Sequence, residues 1–153
     1  MNPTSAGDTV VQEMHMRAPA TRIFEALTNP VSLVKWWTAG GRFQATHMES
    51  DLRPGGQWLI RGVSAGGRPF RVGGEYRDVD RPRLLSFTWL PDWQEGGTET
   101  LVRIDLEERD GLTTVRLTHW GLTSEGARAR HRGWPELLGS LKAYVEQESS
   151  SMT

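Results

Sequence analysis

The pentapeptide Gly62-Val63-Ser64-Ala65-Gly66 has the G-x-S-x-G spacing of a hydrolase nucleophile elbow. That chemistry needs a strand-to-helix turn that lifts the serine above a parallel sheet. Here Gly67-Arg68-Pro69 follows instead, between two stretches of period-two alternation. A hairpin turn is therefore the expected role of Ser64, and the nucleophile is rejected. The four histidines, His15, His47, His119 and His131, show no metal-ligand spacing such as H-x-x-x-H. His15 falls on the outward parity of its strand. His119 shares parity with Val115 and Leu117, so it is expected to face inward. There a neutral imidazole could hydrogen-bond a ligand or serve as an acid/base near pH 7. The plainer reading is a core histidine tied to its neighbours.

Seven tryptophans stand against four Phe and two Tyr. Trp58 and Trp89 fall on the parity assigned to an inner sheet face, Trp134 opens an apolar helical stripe, and Trp36-Trp37 close a short helix. Together they would place several large rings around one space, which must be filled by interdigitation or left as a hole. Trp93, in Leu90-Pro91-Asp92-Trp93-Gln94-Glu95-Gly96-Gly97, sits among turn residues and reads as a core anchor or a lid. Arg61 and Glu75 lie on the outer parity. Either would turn inward only if a bulge formed near Gly73-Gly74.

The elements that must carry these groups follow from periodicity. Val10, Met14 and Met16 alternate with Val11, Glu13, His15 and Arg17, giving a first strand. Pro19, Ile23, Phe24 and Leu27 describe a short amphipathic helix stopped at Asn29-Pro30, and a second runs from about Val31 to Trp37. From there double glycines at 40–41, 55–56, 66–67, 73–74 and 96–97 punctuate alternating runs. Those runs read as an antiparallel meander ending near Leu122. Trp134, Leu137, Leu138, Leu141, Tyr144 and Val145 then recur at helical spacing. Pro135 would break a helix interior, so the long helix is expected to begin at Gly133–Trp134 or to kink there. The class is α+β.

The 153 residues match one domain. Net charge is −1, with eighteen Lys+Arg against nineteen Asp+Glu, so no overall field favours nucleic acid or an anionic membrane. Without Cys there is no disulfide, thiolate metal site or cysteine nucleophile. No apolar run is long enough for a membrane span, and Met1 to Thr9 does not read as a secretory signal. The expectation is a cytoplasmic protein with no metal, no cofactor and no membrane insertion. Residues 1–8 and 148–153 are expected to be disordered, and 9–147 to form the domain.

VQEMHMRAPATRIFEALTNPVSLVKWW, DLRPGG, GGEYRDVDRPRLLSFTW, LTHWGL and HRGWPELLGSLKAYVEQ, in that order, resemble the bacterial homologues of the activator of the heat-shock-protein-90 (Hsp90) ATPase. That family lies in the SRPBCC, or START/birch-pollen-allergen-like, superfamily. The likeness runs from about Val10 to Glu146. Pro135 departs from the unbroken helix usual there. The resemblance implies a helix-grip fold: a curved antiparallel sheet wrapped around a long C-terminal helix, with two short helices after the first strand. It also implies a cavity for an apolar or amphipathic small molecule, here expected to be lined by Trp37, Trp58, Phe70, Trp89, His119, Trp134, Leu138 and Leu141. The family name points to a second partner, the bacterial Hsp90-type chaperone. A third reading is a cyclase- or dehydratase-type enzyme with His119 as its acid/base. The fold alone does not choose among them.

Overall fold

The computed structural model describes residues 9–38, 43–91, 100–121 and 134–151. Seven strands form one sheet: β1 (Thr9–Met16), β2 (Phe43–Ser50), β3 (Gln57–Ser64), β4 (Pro69–Asp80), β5 (Leu84–Pro91), β6 (Thr100–Arg109) and β7 (Leu112–Trp120). Their spatial order is β1-β7-β6-β5-β4-β3-β2, and every pairing is antiparallel. Consecutive strands β1 and β2 thus sit at opposite edges. The chain crosses between them through α1 (Ala20–Thr28) and α2 (Pro30–Trp36) and then meanders back. The described part of the long helix, α3 (Trp134–Ser151), packs nearest β1, α1 and α2. This is the expected helix-grip arrangement.

Local chemistry explains the joints. Pro19 precedes α1 and offers no side-chain cap, so the Ala20 N–H donates to the Glu108 carboxylate of β6 at 2.7 Å. That bond places negative charge at the positive end of the helix. Asn29 caps α2 by accepting from the Val31 N–H at 2.9 Å, with Pro30 in the first turn. Between β6 and β7, Asp110 and Gly111 both take positive φ, 54° and 81°. Two such residues in a tight hairpin match the twist of the flanking strands. Ser64 ends β3 in a turn: its Oγ accepts from the Arg68 N–H at 3.2 Å and its carbonyl from Gly67 N–H at 2.9 Å. The hairpin role holds.

Alternation separates the two faces as expected along most of the sheet. Trp58 and Ile60, Val102 and Ile104, and Val115 and Leu117 are buried, while Arg61, Arg103 and Arg116 are exposed. On β5 the pattern fails, because Ser86 and Thr88 are buried as well as Leu85 and Trp89. The cause is β4, whose register shifts between Tyr76 and Asp78. Ser86 Oγ then accepts from the Asp78 N–H and donates to the Asp78 carboxylate at 2.7 Å. A second shift lies between Ala45 and His47 on β2. Neither falls at Gly73-Gly74, where a bulge could have turned Arg61 or Glu75 inward.

Pro135 occupies the first turn of the described helix, where its missing N–H breaks no intrahelical bond. The helix continues to Ser151, beyond the boundary at 147 expected from the polar tail. It is tied to the end of β1 by Glu146, whose Oε2 accepts from the Arg17 N–H at 2.8 Å and lies 3.3 Å from Lys142 Nζ. The Arg17 bond foremost, helped by Lys142, holds the Glu146 carboxyl below its ordinary range against the opposing effect of burial. A carboxyl lowered on folding contributes stability above its unfolded pKa and loses it as the pH falls through the folded value. Melting temperature should therefore drop on acidification below about pH 4.5. In Glu146→Gln that part of the acid-side slope should be smaller, as a thermal scan across pH would show.

Candidate functional site

The inner face of the sheet, α1, α2 and α3 line a cavity of about 40 Å³. Its walls are Leu27 of α1; Leu33, Trp36 and Trp37 at the end of α2; Met48, Trp58, Ile60, Tyr76, Leu85, Phe87, Trp89, Ile104 and Leu117 of the sheet; and Leu137 and Leu138 of α3. The rings follow one another in series. Trp37 lies 6.2 Å from Trp89 and Trp89 lies 5.8 Å from Trp58, centroid to centroid, each pair tilted by 33°. Phe87 meets Trp58 edge-on at 5.1 Å, and Trp36 lies 5.5 Å from Trp37. Interdigitation therefore fills most of the space that the tryptophans surround, and a small hole remains.

Polar groups on this wall are few. Trp36 Nε1 donates to the Ala26 carbonyl at 2.8 Å. The Tyr76 hydroxyl and Ser50 Oγ share a hydrogen bond of 2.6 Å. Burial pushes the Tyr76 phenol up, opposed by the Ser50 bond and reinforced by the charge of Asp51. The indole N–H groups of Trp37 and Trp58 are buried with no hydrogen-bond partner among the described residues.

Of the residues expected to line a cavity, Trp37, Trp58, Trp89 and Leu138 do so. Three others stand elsewhere. Phe70 is half-buried and packs edge-on against Phe43 at 5.3 Å, away from the wall. Leu141 is fully buried in the core but off the cavity. His119 is fully buried and also off the wall. Its Nε2 lies 2.6 Å from Thr100 Oγ1 and its ring 6.1 Å from Trp89. Thr100 Oγ1 donates in turn to the Trp89 carbonyl at 3.3 Å. That is a satisfied core histidine bracing β7 against β6 and β5. Trp134 begins α3, but its side chain lies outside the described residues, as do Trp93 and His131 entirely.

Arg61 is exposed on the outer face, and Glu75, half-buried there, lies 3.5 Å from Arg77. Neither is on the cavity wall. The expected lining favours aromatic members of the inner face and omits aliphatic ones such as Ile60, Leu85 and Leu117. Those residues share strand parity with Trp58, Trp89 and His119, and that parity is the signal that finds them.

A curved antiparallel sheet closed by two short helices and gripping a C-terminal helix around an apolar cavity defines a helix-grip protein. Residues 17–146 match the family model described as activator of Hsp90 ATPase homolog 1-like protein, so the chain belongs to that family. Comparison with curated proteins returns no match. Among solved structures, the chain resembles a Chromobacterium violaceum protein at 22% identity and TM-score 0.79, covering 91% of this chain and 98% of that one. A Nitrosomonas europaea protein is similar at 20% identity and TM-score 0.81, covering 95% and 98%. An Aeromonas hydrophila protein described as AHSA1-like matches at 24% identity and TM-score 0.78, covering 92% and 94%. These likenesses carry the fold.

Proposed function

We propose that the protein binds a small apolar molecule in the cavity between its sheet and α3. The observation that carries this reading is a small space whose described walls are predominantly apolar side chains, drawn from all three helices and the sheet. An apolar hole of this kind stays dry, since water there finds too few polar partners. At about 40 Å³ it has the volume of only a few water molecules. An apolar ligand therefore enters by parting the walls, and the bound state is wider than the one described.

Four wall tryptophans give the test its signal. Titration with a graded series of apolar compounds should quench or shift tryptophan emission. At a hundredfold excess over the dissociation constant, linkage adds about 2.7 kcal/mol of stability. That corresponds to a rise in melting temperature of roughly 5–10 °C for a chain of this size. Unchanged emission together with an unchanged melting temperature across the series would remove the reading.

The family description supplies a second reading, contact with the bacterial Hsp90-type chaperone. It rests on that description and on no particular surface of this chain. Its readout is the chaperone's ATPase rate at saturating protein, with no stimulation counting against it. The enzyme reading has less to stand on, because His119 is braced by Thr100 away from the cavity wall.

A further inference from the structure

Polar groups are scarce among the residues that line the cavity, and two of them stand out. Trp37 and Trp58 are 6% and 5% exposed, and the Nε1–H of each is buried without a partner among the described residues. The neighbouring Trp36 shows how this fold settles an indole within its own core, since its N–H donates to the Ala26 carbonyl. An indole N–H is a donor only, so nothing but an acceptor can satisfy it. Left unmade inside a protein, such a bond costs more than a made one returns. Two such orphans on one small wall, on either side of Trp89, call for a common explanation.

We propose that the cavity selects neutral ligands bearing a hydrogen-bond-accepting oxygen, with the N–H groups of Trp37 and Trp58 as its recognition donors. This deepens the binding reading above and rests on it. A carbonyl, ether or lactone oxygen supplies the missing acceptor and brings no hydrogen that would need a partner of its own. An alcohol would bring one, and the surrounding wall of leucine, isoleucine and aromatic carbon offers no ready acceptor. Charged ligands are disfavoured more strongly. Among the described residues the wall carries no carboxylate or cationic side chain, and the Tyr76 hydroxyl is engaged with Ser50. A buried carboxylate or ammonium would therefore face no opposite charge. Water is a poor substitute: it could accept from an indole, but its own hydrogens would point at hydrocarbon.

Matched pairs that differ only in the oxygen test this on the wild-type protein. Acetophenone with α-methylstyrene, and 1-tetralone with 1-methylenetetralin, keep shape while exchanging C=O for C=CH₂. Affinities come from tryptophan emission. The proton–nitrogen correlation spectrum reports each indole N–H, with Trp37 and Trp58 assigned through Trp37→Phe and Trp58→Phe. The ketone of each pair should bind about three- to tenfold tighter than its alkene. On ketone binding alone, the indole proton of Trp37 or Trp58 should move downfield. Where Trp58→Phe folds, it should narrow the ketone preference.

Equal affinities within both pairs, with both indole protons unmoved, would overturn the proposal and leave the cavity reading intact. Binding by neither member of either pair would count against the cavity reading itself, and the donor assignment would fall with it. The comparison needs no variant to fold, because the decisive pairs are read on the unaltered chain.

Discussion

Replacing Trp89 by alanine is expected to cost about 3–5 kcal/mol of stability, the usual range for removing a large ring from a core. At this chain length that lowers the melting temperature by roughly 6–20 °C. Trp89 is 3% exposed and stands between Trp37 and Trp58, with His119 edge-on to it. No neighbour can collapse into the gap cheaply. Trp37 is held at the end of α2 and Trp58 within β3, so the void should persist and merge with the existing cavity. The variant should then accept free indole, which refills the space and restores part of the lost melting temperature by linkage. Thermal unfolding with and without indole measures both halves. A loss under about 1 kcal/mol would mean that the ring is not packed as described.

The second large effect concerns an atom the protein lacks. A methyl group on Gly74 would lie 2.0 Å from the Thr88 carbonyl oxygen and 2.6 Å from Thr88 Oγ1. Ordinary contact begins near 3.4 Å, and the nearer obstacle is backbone that cannot rotate away. Thr88 Oγ1 also accepts from the Glu75 N–H at 2.8 Å, so the two strands are bonded at the point where they would have to part. Gly74→Ala should therefore cost about 3 kcal/mol, at or above the upper end for overpacking. Gly139→Ala is the internal control. It lies within α3, and a methyl group there meets nothing within 4 Å. That change should be neutral or stabilise by about 0.5–1 kcal/mol, because glycine is the costlier helix residue. Denaturant unfolding of the two variants checks sign and size together. Similar small effects from both would mean that β4 and β5 do not approach as closely at Gly74 as described.

Gly73-Gly74 shows where reading from sequence stops. Paired glycines in an alternating run mark a backbone peculiarity, and a bulge is one form it can take. The peculiarity is instead a close approach of β4 to Thr88, while the register shift falls at Tyr76 and Asp78. Both arrangements favour small residues, and telling them apart requires knowing which strand lies alongside. His119 makes the same point for chemistry. Its parity places it indoors correctly, but the distance to Thr100 determines that it braces strands rather than facing the cavity.

From the chain alone came the α+β class, the helix-grip order, the turn role of Ser64 and the inner parity of Trp58, Trp89 and His119. These depend on local periodicity, turn stereochemistry and motif order, which are written residue by residue. Tertiary structure decided the rest. It placed β1 and β2 at opposite edges, left only about 40 Å³ among the rings, moved Phe70 and Leu141 off the wall, and left two indole N–H groups without a partner among the described residues. Each of those depends on distances between residues far apart in the chain. Periodicity assigns a side chain to a face, but only packing determines how deep the opposing chains reach and whether a donor meets an acceptor.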